Sequence, residues 1–291
     1  MKTIRVGTRD SKLALIQAEL ICAAIEAGNP GLTTEIVPMK TTGDRILDRT
    51  LEEVGGKGLF VKELDQALLE GRVDITVHSS KDLPMELHPD LPIVAFSRRE
   101  DPRDVLVLPA GAETIDPAKP IGCAAQRRQL QLQTLYPELE TAPIRGNVLT
   151  RLQKLDDGAY GALVLAAAGL RRLGLQNRIS RIFSPEEMIP AAGQGILAVQ
   201  ARAGEDMRFL HCVHDRDAAD CIAAERAFVR ELDGGCTAPT AAFAELRGDD
   251  LRLTGLYVTG TGARMIKHIS GPRTDALRLG AGLAAYMRRD F

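Results

Sequence analysis

The chain has 291 residues, 45% of them hydrophobic and 26% charged, with a formal net charge of −2. That is a globular balance, long enough for two or three domains with cores of their own, and the near-zero charge excludes a general attraction to nucleic acid or anionic membrane. No apolar run approaches the roughly 20 residues that span a bilayer, and after Met1 and Lys2 the chain runs into TIRVGTR, which does not read as a basic-then-apolar secretory leader.

Residues 4–6 read as a short strand and 11–27 as an amphipathic helix with Leu13, Ile16, Leu20, Ala24 and Ile25 on one face. Asp10 or Ser11 can cap that helix, and Gly28 with Pro30 stops it. Residues 34–38 are extended, 59–69 form a second amphipathic helix, and 73–77 and 93–97 are buried-type strands. This βαβαβ rhythm predicts a mainly parallel sheet flanked by helices. The charged, proline-bearing RREDPRD at 98–104 breaks the pattern and reads as a hinge. A second α/β unit follows: strands at 121–125, 141–144 and 163–167, helices at 127–135 and 148–155. PAAGQG at 190–195 is a second crossing, followed by the strand-like ILAVQAR. A helix at 218–232, strands at 241–246 and 251–258 and a helix at 274–288 predict a small closing α+β unit. The fold class expected is therefore α/β: two lobes with a central cleft plus a small α+β C-terminal domain. The expected domains are 1–97 with 190–213, 98–189, and 214–291.

Five cysteines, at 22, 123, 212, 221 and 236, are odd in number and irregularly spaced. Neither a disulfide framework nor a metal site is expected, and a cytoplasmic protein with free thiols is the natural reading. Cys236 differs from the others because DGGCTAP puts it on a loop, where Gly234 and Gly235 allow a tight turn. The 37 basic residues are 28 Arg and 9 Lys, and arginine's planar fork suits carboxylates and phosphates. Arg9 follows the first strand and precedes a helix, and Arg127 with Arg128 holds the equivalent place in the second unit. Helix N-termini themselves attract anions. Arg145 ends the next strand, Arg151 lies in the following helix, and Arg172 follows the strand at 163–167. Arginines at successive strand ends predict a polyanion site in the cleft. HSSKDLP at 78–84 sets His78, Ser79, Lys81 and Asp82 at the mouth of the first lobe. A carboxylate among arginines keeps its charge and can stabilise positive charge developing beside it. GGKGLF at 55–60 lacks the Walker spacing of a nucleotide loop and reads as a lid carrying Lys57.

GTR at 7–9, VGGKGLFVKEL at 54–64, HSSKDLP, REDPRD, RRQ at 127–129, RGNVLTRL at 145–152, AAAGLRRLGL at 166–175, PAAGQG and DGGCTAP occur in this order nearly end to end. The ordered set closely resembles the porphobilinogen deaminase (hydroxymethylbilane synthase) family. The resemblance implies lobes like those of periplasmic binding proteins and a transferase of porphyrin and heme biosynthesis, monomeric, with no membrane or nucleic-acid partner. It implies a dipyrromethane cofactor held by Cys236 through a covalent thioether. Four porphobilinogen molecules would be condensed on it head to tail with loss of ammonia, the growing pyrrole chain then leaving as hydroxymethylbilane by hydrolysis. Asp82 would be catalytic, assisting proton transfers and stabilising pyrrole cations. Lys81, Arg127 and Arg128 would hold the cofactor with Asp82, while Arg9, Ser11, Arg145, Arg151, Arg172 and Gln194 would contact substrate or growing chain. The chain departs in one important place, where the family usually reads GTSSLRR and this chain reads GCAAQRR, with Cys123, Ala124 and Ala125, and in two lesser ones, Lys12 where the family often has a proline and Glu53 where a basic residue is common. The alternatives are a non-catalytic anion- or tetrapyrrole-binding protein on the same fold, which would explain the arginines but neither DGGCTAP nor Asp82, and an inactive family member marked by GCAAQRR.

Overall fold

The computed structural model describes residues 2–45, 58, 60–232, 239–259 and 263–289. Lys57 and Cys236 lie outside the described residues. The chain divides into two compact units, one of residues 1–100 with 196–219 and the other of residues 101–195 with 220–291.

The first unit is built on a five-stranded sheet. Its strands are β1 (Lys2–Arg9), β2 (Leu32–Met39), β3 (Ile75–Ser79), β4 (Ile93–Phe96) and, arriving late in the chain, β10 (Leu197–Ala201), in the order β2-β1-β3-β10-β4. β1 pairs parallel with β2 and β3, whereas β10 pairs antiparallel with β3 and β4. The sheet is thus mixed rather than mainly parallel. The βαβ rhythm governs only the strands it connects, and the slot between β3 and β4 is filled by chain returning from the other unit.

Helix Lys12–Gly28 covers this sheet. Ser11 is its cap, accepting the Ala14 N–H at 3.4 Å, and at the far end Asn29 Nδ2 donates to Ile25 O at 2.8 Å. The buried stripe is Ala14, Gln17, Ala18, Ile21, Cys22 and Ile25; of the expected face only Ile25 is fully buried, the stripe is rotated from Leu13, Ile16, Leu20 and Ala24, and Leu20 is 50% exposed. Both stripes carry helical spacing, and the small residues Ala14 and Ala18 mark the face that packs closely. Ile21 and Ile25 join Ile4, Val6, Ile75, Val77 and Val199 in one core.

The second unit holds a five-stranded sheet of β5 (Asp104–Val107), β6 (Ile121–Cys123), β7 (Thr141–Pro143), β8 (Ala162–Ala166) and β9 (Arg181–Ile182), in the order β7-β6-β8-β5-β9. β6 is parallel to β7 and β8, and β5 is antiparallel to β8 and β9. β5 was not expected: its first residue closes the segment read as a hinge, and all four of its residues are buried. A smaller antiparallel sheet follows, β11 (Ala241–Arg247), β12 (Asp250–Val258) and β13 (Arg264–Pro272), covered by helix Ala276–Arg289. β13 alternates exposed and half-buried residues and carries no apolar run, which is why its sequence gives no strand signal.

Candidate active site

In the first unit the polar motifs gather at the ends of β1 and β3. After Ser79 the chain makes one 3-10 turn, Ser80–Asp82. The turn is held from both sides: Ser80 N–H donates to Ile196 O at 2.9 Å, and Leu83 N–H donates to Ser80 O at 3.3 Å, with Leu83 fully buried behind it. Asp82 is thereby presented to solvent on an anchored loop, and Lys81 is half-buried beside it. Ser79 exchanges hydrogen bonds with Gln17, accepting from Nε2 at 3.0 Å and donating to Oε1 at 3.1 Å. Ser80 is buried, and its Oγ has no hydrogen-bond partner among the described residues. His78 is buried and shares a 2.9 Å hydrogen bond with Thr76 Oγ1. Burial pushes its pKa down to about 3, with Arg9 acting in the same direction, so the imidazole is neutral. Arg9 is half-buried and stacks its guanidinium 4.3 Å from the centre of the Phe60 ring. Ser11, expected to touch substrate, accepts the Ala14 N–H as the helix cap, a bond that does not commit its O–H proton.

In the second unit Arg127 and Arg128 open helix Gln126–Leu135, each only 4% exposed, and converge on one carboxylate. Arg127 donates from Nη1 to Asp104 Oδ2 at 2.6 Å and from Nη2 to Oδ1 at 3.3 Å. Arg128 donates to Asp104 Oδ1 from Nη2 at 2.7 Å and from Nε at 3.1 Å. Burial alone would push the Asp104 carboxyl up, but the two guanidiniums overcome it and hold the group well below the usual carboxylate range. Two arginines against one aspartate leave the cluster with one positive charge. The frame is completed by carbonyls and amides. Arg127 Nη1 donates to Ile189 O at 3.0 Å and Arg128 Nη1 to Val164 O at 3.0 Å. Gln131 both donates to Ile189 O at 3.3 Å and accepts the Ile189 N–H at 2.7 Å. Gln194 is fully buried in the same frame: its Nε2 donates to Pro102 O at 2.6 Å and to Asp104 Oδ1 at 3.0 Å, and its Oε1 accepts from Arg127 Nη2 at 3.1 Å.

The GCAAQRR departure resolves into three environments. Cys123 is fully buried among Leu132, Val164 and Phe183, and burial pushes its thiol up to about 11. A ligand outside the core therefore never meets it. Ala124 is exposed, and Ala125 is the helix N-cap with no side-chain hydrogen bond to the first turn. The remaining arginines lie at other strand ends of this unit. Arg145 is half-buried before Gly146, whose φ of 110° turns the chain into helix Val148–Asp156. Burial pushes the Arg145 guanidinium down from its ordinary value. Arg151 is half-buried, its Nε donating to Gly146 O at 2.8 Å, and Arg172 donates to Gly195 O at 2.7 Å.

Sequence reasoning missed Asp104, Gln131 and Gln17 as members of these clusters. Asp104 carried a signal: a single acid heading the apolar run VLVL must be paired if the run is buried. Nothing local marked the two glutamines.

The family profile described as "Porphobilinogen deaminase, dipyromethane cofactor binding domain" matches residues 4–209, and that described as "Porphobilinogen deaminase, C-terminal domain" matches residues 219–289. The chain is 55% identical over 288 residues to the porphobilinogen deaminase of Ruminiclostridium cellulolyticum, covering 99% of this chain and 98% of that one. It is 46% identical to the porphobilinogen deaminase of Chromobacterium violaceum, over 98% of this chain and 94% of that one. Among solved structures, the periplasmic VFT2 domain of Bordetella pertussis BvgS aligns with 70% of this chain and 82% of its own at a TM-score of 0.41 and 15% identity, too distant to carry an argument.

Proposed function

The chain belongs to the porphobilinogen deaminase family, and from that premise we propose how its residues share out the family's reaction. It is a transferase, a hydroxymethylbilane synthase. Four porphobilinogen molecules are condensed head to tail with loss of ammonia, and the linear tetrapyrrole leaves by hydrolysis. When bound, the dipyrromethane cofactor supplies the free pyrrole position at which the chain is extended.

The residues suit such a group, whose pyrroles each bear two carboxylates. The observation that carries the reading is the buried Arg127–Arg128 pair sharing the single carboxylate of Asp104, so that one positive charge stays uncompensated at a helix N-terminus without a side-chain cap. Arg127, Arg128 and Lys81 hold cofactor carboxylates. Ser80 Oγ, buried and without a described partner, is a further donor for the same purpose. Asp82, exposed on its anchored turn, binds pyrrole N–H groups, moves protons and favours the cationic forms by its charge. Arg9, Ser11, Arg145, Arg151, Arg172 and Gln194 serve substrate and growing chain, with Ser11 and Gln194 doing so through the backbone they fix. Lys57 acts from the lid, and Cys236 is the covalent anchor. Three domains, 1–97 with 190–213, 98–189 and 214–291, and a cytoplasmic monomer complete the proposal. The unpaired pattern of cysteines supports the compartment, and among the described residues no helix is long and apolar enough to cross a membrane.

The test is the intact mass of the denatured protein before and after incubation with porphobilinogen. A covalent addition of two pyrrole units, absent in Cys236→Ser, with further additions in whole pyrrole steps, is expected. A mass that porphobilinogen never changes would favour the non-catalytic, anion-binding reading, with GCAAQRR as its mark.

A further inference from the structure

Glu225 lies inside helix Arg216–Glu231 and is fully buried. Such a carboxylate needs donors, and it has two backbone N–H groups from distant parts of the second unit. Its Oε2 accepts the Gly193 N–H at 2.7 Å and its Oε1 accepts the Ala244 N–H at 2.8 Å. The two donors lie 51 residues apart in the chain and on either side of the helix in sequence. Gly193 stands at φ 74°, a conformation that other residues rarely adopt, so its N–H is aimed by a turn built for that purpose.

What each donor belongs to gives the contact its meaning. Gly193 sits in the segment 189–195, which wraps the arginine pair: Ile189 O receives Arg127 and Gln131, Gln194 binds both Arg127 and Asp104, and Gly195 O receives Arg172. Ala244 sits in β11, the strand that begins five residues after Cys236 in the sequence. The helix bearing Glu225 ends at Glu231, five residues before it. One carboxylate thus fixes three things together: the turn around the arginines, the helix leading into the cysteine segment and the strand leading out of it. Apolar contact runs alongside, with Ile189 packed on Ala241, Leu256 and Phe243.

We infer that Glu225 is a positioning residue that ties the helix and the strand flanking Cys236 in the sequence to the segment that wraps the Arg127–Arg128 pair, and that it governs capture of the cofactor rather than recognition of each later substrate. The inference rests on the reading that Arg127 and Arg128 hold the cofactor that Cys236 anchors. The charge matters as well as the shape. A glutamine of the same length keeps one acceptor oxygen but turns an NH2 group toward the second backbone N–H, leaving that donor unsatisfied.

The experiment follows covalent cofactor loading of the apo protein by intact mass, after addition of porphobilinogen. Wild type and Cys236→Ser come first: loading in the former and none in the latter secures the underlying reading, and its failure would show there, independently of Glu225. Glu225→Gln is then compared with Phe228→Leu, a core change on the same helix that lowers stability but removes no acceptor of either N–H. At equal distance below each variant's own melting temperature, Glu225→Gln is expected to load about tenfold or more slowly than Phe228→Leu. Its loaded fraction should keep a near-normal KM for porphobilinogen. Should Glu225→Gln not fold, Glu225→Asp, which keeps the charge on a shorter arm, serves in its place with the same expectation. Loading at the rate of Phe228→Leu, or a KM raised in step with the slower loading, would overturn the inference.

Discussion

Two aspartates stand at strand ends in the two units and could hardly be treated more differently. Asp82, just beyond β3, is exposed on a one-turn helix whose backbone is pinned by Ile196 and Leu83. Asp104, at the head of β5, is fully buried, and among the described residues the side chains that donate to it are those of Arg127, Arg128 and Gln194. Both lie among basic residues, as a sequence reader would note. The first has a fixed backbone and a free-standing carboxylate, suited to meeting a ligand. The second has its charge consumed in fixing two guanidiniums. Proximity to arginine therefore does not say which acid stays open to solvent and which one organises its neighbours; burial does.

The largest expected effect comes from Asp104. Asp104→Asn leaves two buried guanidiniums without their counter-charge, and breaking a buried pair in this way costs about 3–5 kcal/mol. Urea denaturation at pH 7 measures it. Because the folded-state pKa lies below the unfolded value near 3.8, the wild-type advantage is present above that pH and is lost as the pH falls through the folded pKa. An advantage that grew toward acid would break the comparison. Asp82→Asn comes second: turnover should fall by about a hundredfold or more, as for loss of a proton-transferring group. Its unfolding free energy from urea titration should change by no more than about 0.5 kcal/mol, as for an exposed position. A large loss of stability in Asp82→Asn would make the two acids alike and erase the distinction. The smallest effect tests whether the surroundings of the arginine pair are closed. In Cys236→Ser protein at pH 8, iodoacetamide should modify the exposed Cys212 first, with Cys22, Cys123 and Cys221 protected. Peptide mapping that found Cys123 modified as fast as Cys212 would show that cluster to be open to solvent.

Much of this was legible beforehand. The HSSKDLP turn, the arginine pair at a helix start and the strand–helix alternation around them are local patterns, and local spacing reports them. What escaped was pairing at a distance. Asp104 meets Arg127 across 23 residues and Gln194 across 90, separations that no periodicity encodes. The helix Lys12–Gly28 shows a second limit: its sequence offers two apolar stripes, and only the sheet beneath decides in favour of Ala14, Ala18 and Ile21. Ser11 and Gln194 show a third. Sequence position marks them as candidates for ligand contact but does not show that their polar atoms also serve a helix cap and a buried frame.

The placing of β10 between β3 and β4 has a consequence for how the chain comes off the ribosome. Among the described strands β4 pairs with β10 alone, and β10 is made about a hundred residues later. The opening sheet stays incomplete while residues 101–195 are synthesised, and β5 to β9 can close into their own sheet first. Synthesis from the N-terminus does not here mean folding from the N-terminus. A chain released before residue 197 would have every strand of the arginine-bearing sheet but an open edge on β3, and that edge is where such a fragment would aggregate.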